Sequence, residues 1–486
     1  MKKCDMLKDS PGRSLFFFAL PMILGNLFQQ FYNMADSVIV GQCVGEDALA
    51  AVGASYSLTT VFIMIAIGGG IGASVIMSQY LGAREYGKMK TSVYTALISF
   101  AVLSAVLGLF GFLMCGPILE ALNTPQNILA DAKLYLKIYF VGLPFLFMYN
   151  ILSSVFHALG NSQTPLCLLI FSSLLNIGLD FLTVLAFGMG VAGVAVATVM
   201  AQGLSAVISF LLLLRTLQTY GRTQAKSGEG VSCEAGAAQE LEGRSNGTLY
   251  YNFGMLGSMV RIAIPSMVQQ SIVSVGMLLV QSVVNGFGSS ALAGYTSGMR
   301  IESICIVPMI ATGNAVSTFT AQNLGAGAAK RVREGYRAAY GIVFGFGLLI
   351  FVVLSLFHGQ IISAFMGAGE GDGAFAVGDA YLVFIRFFFV FIGMKAITDG
   401  VLRGAGDVGM FTLANLVNLG IRVWVSFRFA GLWGVEAVWY AVPMGWAANY
   451  ILSFLWYLTG RWSRKEIIRP RGQLVSAEGK KEGEEE

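Results

Sequence analysis

Long apolar stretches separated by short polar breaks run through almost the whole chain. Each is about 20 residues or longer, the length of a helix that crosses a bilayer. The pattern predicts helical spans near 14–40, 51–80, 92–115, 131–158, 164–187, 190–216, 256–285, 291–324, 336–357, 377–402, 410–430 and 433–459. The predicted fold is therefore all-α integral membrane, with twelve spans. One long polar segment interrupts the pattern, "LQTYGRTQAKSGEGVSCEAGAAQELEGRSNGTLYYN" at 217–252, and leaves six spans on each side. The expected organisation is a cytoplasmic N-terminus at 1–13, a six-helix bundle at 14–216, a flexible linker at 217–255, a second bundle at 256–460 and a partly disordered tail at 461–486.

The two halves also repeat. "ALPMIL" at 19–24 matches "AIPSMV" at 263–268, "DSVIVG" at 36–41 matches "QSVVNG" at 281–286, and "QYLGAREYGK" at 79–88 matches "QNLGAGAAKR" at 322–331. "NIGLD" at 176–180 matches "NLGIR" at 418–422, and "GVAGVAVAT" at 190–198 matches "GLWGVEAVW" at 431–439. Because six is even, both halves enter the membrane in the same direction. The repeats are then parallel, and the interface between them is where a substrate site is expected.

Composition agrees with this reading. Charged residues make up 12%, against about 25% in soluble domains, and hydrophobic residues make up 56%. Gly is abundant (60) and Pro sparse (10), which suits close helix packing and not disorder. Lys and Arg gather on one set of span ends: Arg84, Lys88 and Lys90, then Lys330, Arg331 and Arg333, then Arg461, Arg464 and Lys465. By the positive-inside rule both termini of this multi-pass membrane protein are cytoplasmic. Six scattered Cys and two His offer no metal spacing, and no GxxxxGK[ST] phosphate loop occurs. Neither a catalytic constellation nor nucleotide-driven transport is implied. No cofactor and no nucleic-acid partner is expected; the lipid bilayer is the surrounding medium, and a monomer is expected.

Ionisable groups at bilayer depth are expensive and mark function. Asn176 and Asp180 stand four apart, on one helix face, as do Tyr32 and Asp36. The basic residues nearest Asp180 along the chain are Lys137 and Arg215. With Asn150 and Thr198, these residues suggest one polar pocket in the first bundle. Two carboxylates in such a pocket cannot both ionise cheaply, which suits a site that loads and releases a proton. The same oxygens of Asp36, Asn176, Asp180 and Thr198 suit Na⁺ instead. A network that only ties helices together is the alternative. The second half places Gln281 and Arg422 where the first has Asp36 and Asp180, so a coupling site belongs to one half. Arg300 with Glu302, and Lys395 with Asp399, are candidate ion pairs. Gln29, Gln269, Gln270, Glu302, Asp399 and Arg422 are candidate substrate-cavity residues, and Pro21 is a candidate hinge. The "GGGIG" at 68–72 reads as close helix packing.

Taken with the segments "LPMILGNLFQQFYNMADSVIVG", "QYLGARE", "ALGNSQTP", "NIGLD", "QNLGAG" and "LRGAGD", the chain resembles the multidrug and toxic compound extrusion (MATE) family over residues 14–460. It looks most like the DinF-like prokaryotic branch. That resemblance implies a cation-coupling group at Asp36, Asn176 and Asp180, with Tyr32, Asn150 and Thr198 beside it. It also implies two lobes in a V and alternating access, exporting amphipathic organic cations in exchange for H⁺ or Na⁺. The branch with its cation site in the second lobe carries an acid on the seventh span, and Ser271–Val275 here holds none. The alternative function is a flippase for a lipid-linked or other amphipathic anionic substrate, kept open by Arg300, Lys395 and Arg422.

Overall fold

The computed structural model describes residues 5–121, 124–228, 249–366 and 371–464, without the side chains of 34–38, 42–43, 46, 49, 57, 221–228, 272–275 and 464. Its α-helices are α1 Pro11–Ile39, α2 Glu46–Gly82, α3 Tyr86–Ala121, α4 Gln126–Ala158, α5 Gln163–Asp180 and α6 Gly190–Gly228. After the linker come α7 Phe253–Asn285, α8 Ser289–Cys305, α9 Val307–Gly325, α10 Ala329–Phe365, α11 Asp372–Ile385, α12 Phe389–Gly404, α13 Val408–Trp433 and α14 Glu436–Leu458. No strand occurs among the described residues. Every predicted span has its helix.

Two spans differ from expectation. The eighth, predicted as one helix at 291–324, breaks at Ile306 between α8 and α9, where Pro308 lies in the first turn of α9. Proline has no N–H to give the preceding turn, so the ladder restarts there. The tenth, predicted as one helix at 377–402, bends by 58° between α11 and α12. α6 continues into the predicted linker as far as Gly228; residues 229–248 and 465–486 lie outside the described residues.

The chain divides into two compact units, residues 28–267 and residues 1–27 with 268–486. Each unit takes the opening part of α1 or α7 from the other half of the sequence. Local bonds explain the assignment. In the first unit, Asn252 donates its backbone N–H to Thr95 Oγ1 (3.1 Å), and the Tyr251 and Ser99 hydroxyls lie 3.2 Å apart. The "GGGIG" of α2 lets the backbone of α7 approach: a Cβ on Gly72 would meet Ala263 N at 2.6 Å, and one on Gly68 would meet Met267 Cα at 2.7 Å. In the second unit, Asn323 and Arg331 both donate to Met6 O, which fixes the segment leading into α1. The same four helix pairings recur in each unit: α2–α4, α3–α4, α4–α6 and α5–α6 correspond to α9–α12, α10–α12, α12–α14 and α13–α14. The repeat seen in the sequence is thus a repeat of packing.

Candidate coupling site

In the first unit, α1, α5 and α6 bring together residues separated by more than a hundred positions. Asp180 is the last residue of α5 and has no exposed surface; Asn176, one turn earlier, is 2% exposed. The Asn176 amide is satisfied on all sides when its nitrogen donates to Asp180 Oδ2 (3.2 Å) and to the Tyr32 hydroxyl (2.6 Å). Its oxygen then accepts from the Thr198 N–H (3.2 Å). In the opposite orientation the Tyr32 hydroxyl donates to Oδ1, and the amide nitrogen lies 3.4 Å from Thr198 Oγ1. Either way, Asn176 is the hub that joins α1, α5 and α6.

The backbone changes register beside both predicted carboxylates. α5 passes directly after Asp180 into a π-helical turn, Phe181–Ala186, and α1 passes four residues after Asp36 into another, Val40–Val44. Such turns insert one residue into the helix and re-aim the side chains around them. Val40 and Val184, one from each turn, pack with Ala48, Val191 and Val194 in a single apolar cluster flanked by Val44, Val52 and Tyr135. The carboxylate group therefore lies beside a dry plug, where an ionised oxygen has little solvent to rely on.

The other expected residues are placed as follows. The backbone of Asp36 is in α1, but its side chain lies outside the described residues. Asn150 is half-buried in α4 and donates its amide to Leu146 O of its own helix at 2.9 Å. Gln29 donates to Asn33 Oδ1 at 3.0 Å, one turn along α1. Gln269 and Gln270 are half-buried on α7. Pro21 is buried, and α1 continues through it without a break.

In the second unit, the expected Lys395–Asp399 pair forms at 2.9 Å. It belongs to a larger network that sequence reading missed. Asn415 accepts from Lys395 (3.0 Å) and donates to Asp399 Oδ2 (3.2 Å), while Ser453 donates to Asp399 Oδ1 (3.1 Å). Asn415 and Ser453 sit on α13 and α14, and nothing local in their sequence marks them as partners of α12. Asp399→Asn would strand the Lys395 ammonium in a buried setting, at a cost of about 3–5 kcal/mol. A marked fall in the unfolding temperature of the purified protein is expected, with a smaller fall for the double replacement Lys395→Met/Asp399→Leu.

The expected Arg300–Glu302 pair is not formed. Residues two apart on a helix point to different faces: Arg300 is exposed, while Glu302 is buried and accepts a hydrogen bond from the Tyr381 hydroxyl of α11. Arg422, in the position of Asp180, is buried on α13.

Two copies of the MatE family model match this chain, at residues 21–182 and 265–427, one in each half. The chain is 28% identical over 470 residues to the probable multidrug resistance protein YpnP of Bacillus subtilis (strain 168), covering 96% of this chain and 99% of that protein. It is 23% identical over 473 residues to the probable multidrug resistance protein NorM of Thermotoga maritima, covering 94% of each. Among solved structures, the outward-facing conformation of a multidrug resistance MATE family transporter superposes with a TM-score of 0.82 at 22% identity, over 96% of this chain and 99% of that one.

Proposed function

Because the chain belongs to the MatE family, we propose that it is a secondary antiporter that exports amphipathic organic cations by alternating access in exchange for H⁺ or Na⁺. The observation that carries this reading is Asp180: a carboxylate with no exposed surface, held by an amide that ties three helices together. A buried acid with convertible partners can hold a proton in one conformation and release it in another. The Asn176 amide serves either ion: with its nitrogen towards Asp180 it donates to the carboxylate, and turned over it offers an oxygen to Na⁺. Asp36, Asn176, Asp180 and Thr198 are the residues whose oxygens that alternative uses. One inward charge is worth ~2.3 kcal/mol per 100 mV, enough to drive export. The chain works in this reading as a monomer in a bacterial plasma membrane, with both termini cytoplasmic and no cofactor.

The test is ethidium efflux from proteoliposomes under an imposed H⁺ gradient and, separately, an imposed Na⁺ gradient. Efflux driven by neither would sink the reading. Asp36→Asn should abolish driven efflux while the protein still inserts in the membrane, since Asp36 precedes a π-helical turn as Asp180 does. Wild-type efflux by that variant would remove Asp36 from the coupling group. The anionic-cargo alternative leaned on Arg300, Lys395 and Arg422. Arg300 is exposed and Lys395 is neutralised by Asp399, which leaves Arg422.

A further inference from the structure

Arg422 lies near the middle of α13, and 9% of its surface is exposed. A guanidinium at that depth is costly unless its charge is balanced and its donors are used. Glu302 of α8 lies within electrostatic reach, as do the Tyr295 and Tyr381 hydroxyls, but no described carboxylate stands at ion-pair distance. The donors are not used. Among the described residues, Arg422 makes no hydrogen bond and no ion pair within 4 Å, and Glu302 accepts its hydrogen bond from the Tyr381 hydroxyl instead. Asn418, one turn earlier on the same face, also has no hydrogen-bond partner for its buried Oδ1.

The surrounding helices leave room for both side chains. Gly445 of α14 faces them; a Cβ there would stand 2.2 Å from Asn418 Oδ1 and 2.8 Å from Arg422 Cγ. α7 packs on the neighbouring Leu419 with Gly276, where a Cβ would fall inside the leucine at 1.8 Å. The repeat shows how much has changed. By the offset of "DSVIVG" and "QSVVNG", Met277 stands where the first unit has Tyr32; by that of "GVAGVAVAT" and "GLWGVEAVW", Trp439 stands where it has Thr198. Asn418 and Arg422 stand where it has Asn176 and Asp180. The side chains that close the hydrogen bonds around Asp180 are replaced by ones that leave the donors of Arg422 open.

We propose that Arg422 and Asn418 form a receptor for an oxyanion, a carboxylate or phosphate carried by the amphipathic cargo, in a reading that rests on the export function above. The guanidinium presents a fork of N–H donors that matches two oxygens of either group, and the Asn418 amide supplies a further donor. Glu302 does not cancel this. An oxyanion seated on Arg422 meets its charge at contact distance and the Glu302 charge farther away, so attraction wins. Glu302 makes the buried cation tolerable without occupying it. Cargo of this chain then includes molecules with an acidic group beside their apolar body, not organic cations alone.

The test compares two dyes, rhodamine B, which carries a carboxylate, and its ethyl ester. Their binding to the full-length protein in nanodiscs of zwitterionic lipid is read by fluorescence polarisation. The wild type is expected to favour the acid by about tenfold, the scale of a charge-assisted hydrogen bond. Arg422→Gln should reduce that ratio to near one, and Arg422→Lys should keep part of it. Because Arg422→Gln leaves Glu302 uncompensated, the charge-neutral pair E302Q/R422Q is measured beside it. Gly445→Ala should lower the ratio by displacing the Asn418 and Arg422 side chains. A ratio near one in the wild type, or an unchanged ratio in E302Q/R422Q, overturns the proposal. So does loss of the acid preference when phosphatidylglycerol is added to the disc, which would assign the site to a lipid headgroup. Binding is read without any ion gradient, so a protein that prefers the acid but exports nothing refutes the transport reading and leaves this one standing.

Discussion

Asp180→Asn is expected to abolish gradient-driven accumulation of substrate while leaving a folded, membrane-inserted protein. The amide has the size of the carboxyl group and can keep the contact with Asn176, but it can neither take up nor give back a proton at ordinary pH. Losing one coupled charge across ~120 mV removes ~2.8 kcal/mol, equivalent to about a 100-fold concentration gradient. Passive exchange of labelled for unlabelled substrate should persist, since it needs no net ion movement. A purely structural Asp180 makes the opposite forecast: accumulation survives and the unfolding temperature falls. Tyr32→Phe and Asn176→Leu remove partners and not the carboxylate, so each should weaken accumulation less than Asp180→Asn does. Side-by-side accumulation, exchange and thermal unfolding of the variants separates the two cases; retention of full accumulation by Asp180→Asn ends the coupling role.

What could be read from the chain alone follows the reach of a helix. The spans, the six-and-six division and the i, i+4 pairs Asn176–Asp180 and Lys395–Asp399 are local patterns, and the structure has each of these spans and pairs. The Tyr32–Asn176 contact joins positions 144 apart; membrane depth and the two i, i+4 pairs suggest a shared pocket, but spacing alone does not fix which side chains touch. Arg300–Glu302 failed because charge sign was weighed without helix phase. Asn415 and Ser453 were missed because their partner Asp399 lies on another helix. The break at Ile306, the 58° bend and the π-helical turns depend on tertiary packing around one or two residues, and apolar periodicity averages over such detail. The assignment of the α1 and α7 openings to opposite units has the same origin: Met6, Tyr251 and Asn252 decide it through hydrogen bonds to helices far along the chain.

Gly404→Val is expected to prevent the second unit from folding. α12 carries Gly400 and Gly404 one turn apart, and α9 carries Gly313 and Ser317 at the same spacing. A Cβ on Gly404 would stand 2.3 Å from Ser317 O, one on Gly400 2.3 Å from Gly313 O, and one on Gly313 2.5 Å from Ala396 O. These neighbours are backbone atoms, which no rotamer change can move. Restoring ordinary contact requires the helices to separate by ~1 Å along their whole interface. Lipid offers no hydrophobic drive to press them back together, so close packing is most of what holds such a pair. α12 also packs on α10 and α14 and carries Lys395 and Asp399, so its displacement breaks the polar network as well. Gly345 on α10 is the matched control, because a Cβ there meets nothing within 4 Å. Gly345→Ala should fold as the wild type does, or slightly better by helix propensity. Detergent-solubilised size exclusion should give a single sharp peak for Gly345→Ala and aggregate for Gly404→Val, with Gly404→Ala between them. A sharp wild-type peak from Gly404→Val would show that the α9–α12 interface tolerates what its geometry forbids.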